Sequence, residues 1–214
     1  MSSVTESPSF ASLSLPAALL ETLGELGYLN MTPIQAQSLP SLLAGRDVIA
    51  QSKTGSGKTA AFGIGVLSAL NPRDFRVQAL VLCPTRELAD QVLKEIRRLA
   101  RFAGNIKMLS LCGGVPMGPQ LDSLEHGAHV VVGTPGRVLK HLAKGSLDLS
   151  RLKSLVLDEA DRMLDMGFHD SIAEVVSQMP AQRQTLLFSA TYSNEVRAMS
   201  TRFQRDPVSV TVAD

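Results

Sequence analysis

From residue 77 onward the chain repeats one pattern: a short, mostly apolar run, a turn signal, then a longer stretch whose apolar residues recur every three or four positions. The pairs fall at 77–83 and 85–102, 106–111 and 116–125, 130–132 and 135–143, 154–157 and 168–179, and 185–188 and 194–203, with a last run at 208–212. Runs apolar at successive positions are strands buried on both faces. Spaced by helices, they predict an α/β fold with a mainly parallel sheet covered on both sides. Upstream, Pro16 opens a helical pattern through Leu19, Leu20, Leu23 and Leu26 that Gly27 closes. A second helix begins at Thr32-Pro33, buries Ile34, Leu39, Leu42 and Leu43 and stops at Gly45, with Pro40 expected to split it in two. Residues 1–12 are polar and read as a mobile tail, with Phe10 a candidate for order, ahead of one domain over 13–214.

Composition narrows the classes without choosing among them. A chain of 214 residues at 44% hydrophobic content supports one sizeable core. Lys+Arg 21 against Asp+Glu 20 leaves a net charge of +1, so any polyanion site has to be local. Cys83 and Cys112 lack Cys-x-x-Cys or Cys/His spacing and read as buried thiols of a reducing compartment, with no zinc-type site. The N-terminus lacks a basic-then-apolar leader, and no apolar run approaches the roughly 18 residues that span a bilayer. The expectation is a cytoplasmic protein with no membrane partner.

The most informative stretch is 47–59. Val48-Ile49-Ala50 reads as a strand, Ser52-Lys53-Thr54-Gly55-Ser56-Gly57 as a turn, and Lys58-Thr59 leads into a helical pattern. Backbone N–H groups of such a turn point inward at a helix N-terminus bearing about half a positive charge, which suits a di- or triphosphate. Lys58 would reach the β/γ-phosphates and the Thr59 hydroxyl would sit on Mg²⁺. The strict pattern has Gly where this chain has Ser52, yet the hexapeptide 54–59 arises by chance only on the order of 10⁻⁵ times in such a chain. The bland alternative is a flexible turn with a surface lysine.

A second constellation, Asp158-Glu159-Ala160-Asp161, closes the apolar run at 154–157. Asp158 can hold Mg²⁺ while Glu159 orients and deprotonates an attacking water. Acids that merely cap the following helix are common, and the four letters alone arise by chance in roughly a few chains per thousand. Their place after a phosphate loop gives them weight. In a parallel sheet the loop, Asp158 and Ser189 each follow a strand and should meet at one edge.

With 27–35 (Gly-Tyr-Leu-Asn-Met-Thr-Pro-Ile-Gln), Pro84-Thr85-Arg86-Glu87-Leu88-Ala89, Gly113-Gly114, Thr134-Pro135-Gly136-Arg137 and Ser189-Ala190-Thr191, the chain resembles the DEAD-box ATP-dependent RNA helicases. The resemblance is to their first RecA-like P-loop NTPase domain and covers 10–212; the run 25–47 is most similar to the bacterial DbpA group. It implies that Gln35 reads the adenine edge with Phe10 packing on the base, and that Ser52, Lys53, Thr54, Gly55, Ser56, Gly57, Lys58 and Thr59 cradle ATP. It implies that Ser189 and Thr191 bond the acidic motif through Asp161 and couple nucleotide state to domain closure. The family's usual residues are Pro and Ala where this chain has Met31 and Ser52.

Arg86, Gly113, Gly114, Thr134, Pro135, Gly136 and Arg137 resemble the residues that grip an RNA strand. Helix openings at Thr85 and Pro135 offer free N–H groups, glycines allow close approach, and the arginines add charge. Such contacts carry no base-sequence information. Thr-Pro-Gly-Arg as a plain helix cap is the competing reading. Arg97, Arg98, Arg101 and Lys94 read as a solvated face, the four histidines as non-catalytic, and Met163 and Met166 as core filler.

The resemblance therefore implies an RNA-stimulated ATPase that unwinds or remodels RNA duplexes, with ribosomal RNA in ribosome assembly as the expected setting. The family's second RecA-like domain, which supplies arginines against the γ-phosphate, has no counterpart in these residues, so little turnover is expected of them alone. Two other readings stay open: a GTPase or kinase, against which stand the missing Asn-Lys-x-Asp and the presence of Gln35, and a nucleotide-switched RNA clamp without useful turnover.

Overall fold

The computed structural model describes residues 7–213. Its sheet is built from Val48–Gln51 (β1), Ala79–Leu82 (β2), Met108–Leu111 (β3), Val130–Gly133 (β4), Ser154–Leu157 (β5), Gln184–Ser189 (β6) and Val208–Thr211 (β7), in the order β3-β4-β2-β5-β6-β1-β7. All the described pairings are parallel. Around it lie Ala17–Glu25 (α1), Pro33–Leu43 (α2), Lys58–Ser68 (α3), Arg86–Leu99 (α4), Met117–Glu125 (α5), Pro135–Lys144 (α6), Ala160–Asp165 (α7), His169–Ser177 (α8) and Asn194–Phe203 (α9).

Why the runs lack alternation is visible in β5. Val156 packs into one apolar layer, with Phe62, Ile96 and Phe188, while Leu155 and Leu157 pack into the other, with Met163, Ile172 and Leu187. Both faces are dry, so Leu155, Val156 and Leu157 are apolar in succession. Because all strands run the same way, their carboxyl ends and the loops leaving them share one rim. At the opposite rim the buried Asp47 carboxylate accepts the Thr185 and Arg205 N–H groups at 2.8 and 2.7 Å, pinning the lower ends of β1, β6 and β7 together.

Two expectations need correction. Pro40 does not split α2, which runs unbroken through it. Removing one donor and strain of about 3 kcal/mol is outweighed by burial of Leu39 and Leu42 on either side, with α3 close enough that a Cβ on Gly65 would lie 3.3 Å from Leu42 Cβ. Met166 is not core filler: it caps the C-terminus of α7 and is 47% exposed, whereas Met163 is fully buried. Within the stretch read as a tail, Ser9 bridges to Asn30 and a 3-10 turn at Phe10–Ser12 buries Phe10; residues 1–6 lie outside the described residues. Among the described residues no helix is long and apolar enough to cross a membrane. Both cysteines are buried and unpaired.

Candidate nucleotide and nucleic-acid site

The turn 52–57 leaves β1 at the carboxyl rim and enters α3 at Lys58. Ser52 N–H donates to the Ser189 carbonyl at 3.0 Å, tying the start of the turn to the end of β6. Gly57 caps α3 with φ +90°, a left-handed backbone that a side chain resists. Space forbids a side chain as well: a Cβ there would sit 2.6 Å from Gln35 Nε2 and 2.8 Å from Thr32 Oγ1.

Gln35 is 1% exposed, and its amide is spoken for at both ends. Oε1 accepts the Thr32 N–H at 2.9 Å, as in a capping box, and Nε2 donates to the Gly57 carbonyl at 3.0 Å. The residue expected to read a base thus also fastens the start of α2 to the turn. Phe10 lies edge-on to Tyr28, ring centroids 6.2 Å apart, inside the core layer and not at the surface. Tyr28 donates its hydroxyl to Glu95 on α4; burial, then the Glu95 bond and charge, push the phenol up to about 12.

Opposite the turn, β5 ends in the acids. Asp158 is fully buried, with Lys58 Nζ 2.9 Å from its Oδ1, and Lys58 itself is 4% exposed. Burial pushes the Asp158 carboxyl above the usual carboxylate range, against the opposing pull of the Lys58 charge. Glu159 adopts φ +52° and ψ +53°, a left-handed conformation rare for a residue with a side chain and typical of functional strain. The kink sends its carboxylate to Thr54 Oγ1, which donates at 3.3 Å, with Arg162 Nη1 at 3.4 Å and Lys58 Nζ at 3.8 Å.

Unpaired atoms decide what this geometry is for. The buried side-chain polar atoms without a hydrogen-bond partner among the described residues are Thr32 Oγ1, Ser52 Oγ, Ser56 Oγ and both oxygens of Asp158. The Lys58 ammonium, 2.9 Å from Asp158 Oδ1, balances its charge. All five atoms belong to the turn and the two segments facing it. Buried orphans are rare elsewhere in proteins and collect where a ligand completes them. A cleft of about 620 Å³ opens here, between Ser52, Lys58, Thr85, Glu159 and Ala190.

At the same rim, Asp161 joins α7 to the loop after β6. Its Oδ2 accepts from Thr191 N–H at 3.2 Å and Thr191 Oγ1 at 3.0 Å, and its own N–H donates to Ser189 Oγ at 3.3 Å. Thr85 caps α4 by accepting the Leu88 N–H at 3.3 Å, and Arg86 follows it with a half-exposed side chain. Gly114, at φ +81°, is a neighbour of Arg86: a Cβ there would lie 3.9 Å from Arg86 Nη1. Thr134 precedes α6, with Pro135 and Gly136 in its first turn. Arg137 is not simply free for a strand, since its Nη1 donates to the Val115 carbonyl at 2.9 Å and to Gln120 Oε1 at 3.1 Å. Sequence reasoning missed the partners of these residues: Thr54 and Arg162 for Glu159, Glu95 for Tyr28, Gln120 for Arg137. Arg162 stands at the i,i+3 spacing from Glu159 that would have paired it in advance; the other three are far off in sequence.

A family model described as DEAD/DEAH box helicase matches residues 32–199. The chain belongs to that family. It is 61% identical over 198 residues to the ATP-dependent RNA helicase DbpA of Escherichia coli strain K12, an alignment covering 92% of this chain and 43% of that protein. It is 47% identical over 203 residues to the ATP-dependent RNA helicase DeaD of the same organism, covering 95% of this chain and 32% of the relative. The crystal structure of a DEAD box protein from the hyperthermophile Methanococcus jannaschii superposes with a TM-score of 0.92 at 36% identity, over 96% of this chain and 56% of that one. The fold is thus the RecA-like domain of DEAD-box helicases, and the chain spans less than half the length of these two curated relatives.

Proposed function

We propose that this chain is the ATP-binding first half of an ATP-dependent RNA helicase that couples hydrolysis to unwinding or remodelling of RNA duplexes. The observation that carries the reading is the set of unpaired buried oxygens around Lys58, where a phosphate loop faces two acids. Ser52–Thr59 cradle the phosphates, Gln35 reads the adenine, and Phe10 is the aromatic of the base-binding end. A hydroxyl at Thr59 and the carboxylate at Asp158 are hard oxygen donors that suit Mg²⁺, and the unpaired Asp158 oxygens fit that role. When bound, the ion would neutralise developing phosphate charge.

Glu159 is the general base: its carboxylate meets Thr54 while that of Asp158 stays fully buried against Lys58, so one acid serves charge and the other the proton. Arg86, Gly113, Gly114 and the start of α6 from Thr134 to Arg137 hold RNA by its backbone. Asp161 with Ser189 and Thr191 transmits nucleotide state to closure against a second RecA-like domain. Ribosomal RNA during ribosome assembly, in the cytoplasm, is the setting this reading favours. The test is Glu159→Gln in the full-length protein. It should keep affinity for a fluorescent ATP analogue while RNA-stimulated hydrolysis drops by about 10²–10⁴; hydrolysis at the parent rate would remove Glu159 from the chemistry.

A further inference from the structure

Away from the phosphate loop, one buried polar cluster has so far been given no task. Gln120 on α5 is 9% exposed and makes three hydrogen bonds. Its Nε2 donates to the Cys112 carbonyl at 3.1 Å, one residue before Gly113. Its Oε1 accepts from Arg137 Nη1 at 3.1 Å and lies 2.8 Å from His141 Nε2. Arg137 Nη1 also donates to the Val115 carbonyl, one residue after Gly114. The carbonyls on both sides of the glycine pair are therefore held from a single carboxamide and its arginine neighbour.

The orientation of that carboxamide is forced. With the Arg137 donor at its oxygen and a carbonyl at its nitrogen, a flipped amide would set like against like twice over. His141, fully buried on α6, completes the arrangement: its Nε2 faces the acceptor oxygen of Gln120 and therefore carries the proton, while its Nδ1 lies 2.8 Å from Ser146 Oγ, a hydroxyl that also lies 3.0 Å from the His141 carbonyl. Two adjacent glycines, one of them left-handed, are the least constrained stretch a chain can have. Here they are clamped.

We propose that Gln120, oriented by His141, is a positioning residue for nucleic-acid binding, fixing with Arg137 the Gly113–Gly114 turn in the shape that meets the backbone of an RNA strand. The inference rests on the reading above that this turn belongs to the RNA site. It gives Arg137 a second duty, acting on the strand through the turn it holds.

The experiment measures, for the parent chain and for variants, the affinity for a fluorescein-labelled single-stranded oligouridylate, the affinity for a fluorescent ATP analogue, and amide hydrogen exchange at Gly113, Gly114 and Val115. Gln120→Ala should weaken RNA binding about tenfold, the loss of a buried hydrogen-bond partner, speed exchange at the turn and leave nucleotide affinity unchanged. Gln120→Glu, which keeps both acceptor contacts and sets a carboxylate oxygen against the Cys112 carbonyl in place of the donor, should do the same and covers the case in which the alanine variant fails to fold. His141→Leu should weaken RNA binding, while His141→Gln, which restores a donor near Nε2, should recover it; a purely space-filling role would not separate these two. If the parent binds and the Gln120 variants bind equally well, the inference is overturned while the RNA site stands. A parent without affinity for the oligonucleotide would remove the RNA site itself.

Discussion

Lys58 and Asp158 hold each other in a place where neither could stay alone. The acid is fully buried and the lysine nearly so, and an unpaired charge at that depth is costly to fold around. Lys58→Ala should therefore do two things: abolish binding of an ATP analogue, and lower unfolding free energy by about 3 kcal/mol at neutral pH, the cost of breaking a buried pair. Because the Asp158 carboxyl sits above its ordinary range, the native state binds the extra proton as pH falls toward 3.8, so the deficit should shrink in acid. Urea titrations at two pH values check both the size and the sign. The sequence made both residues legible because the loop and the acidic string are rare words. It could not show that Glu159 is left-handed, since nothing in Asp-Glu-Ala-Asp calls for a glycine-like backbone.

At the scale of elements, α2 and α3 meet through a single amide. Gln35 seals the start of α2 and grips the Gly57 carbonyl at the start of α3, so a change at either end reaches the other. Gly57→Ala should cost about 1–2 kcal/mol from backbone strain alone, and the displaced Gln35 should lower ATP-analogue affinity as well. Unfolding measurements together with nucleotide titration test this, and an unchanged affinity would show that the contact is dispensable. The α5–α6 junction responds to pH instead. Burial, then the Arg137 and Lys144 charges, holds His141 below its ordinary value of 6.5. Its contribution to stability is complete above that value and is lost as pH falls through the lowered one. The slope of unfolding free energy against pH between 7 and 5 should be shallower in His141→Gln than in the parent. Strand and helix periods showed where these elements lie, often to within two residues, yet Pro40 misled because burial on α2 outweighs a missing donor.

Over the whole molecule, the parallel sheet was readable in the uniformly apolar runs, and its functional rim in the polar and glycine residues at the carboxyl end of each run. The order of strands was not, because periodicity says which faces are dry and nothing about neighbours. Since the chain spans 43% of the E. coli DbpA sequence, the arginines that a partner domain would bring to the γ-phosphate are expected from outside it. Arginine fingers are worth about 10³–10⁵ in related phosphoryl transfer, so residues 1–214 alone should bind ATP and show little RNA-stimulated hydrolysis in a phosphate-release assay. Robust turnover by this chain alone would contradict that.

Strand β1, which carries the phosphate loop, is flanked by β6 and β7, which follow the other described strands in sequence. A polypeptide emerging from the ribosome therefore presents its loop early and gives it lateral support only after the strands β2 to β5 have been made. Until residue 189 has cleared the exit tunnel, β1 has no strand to pair with, so a prematurely terminated chain would carry the most recognisable segment of the family and be unable to use it.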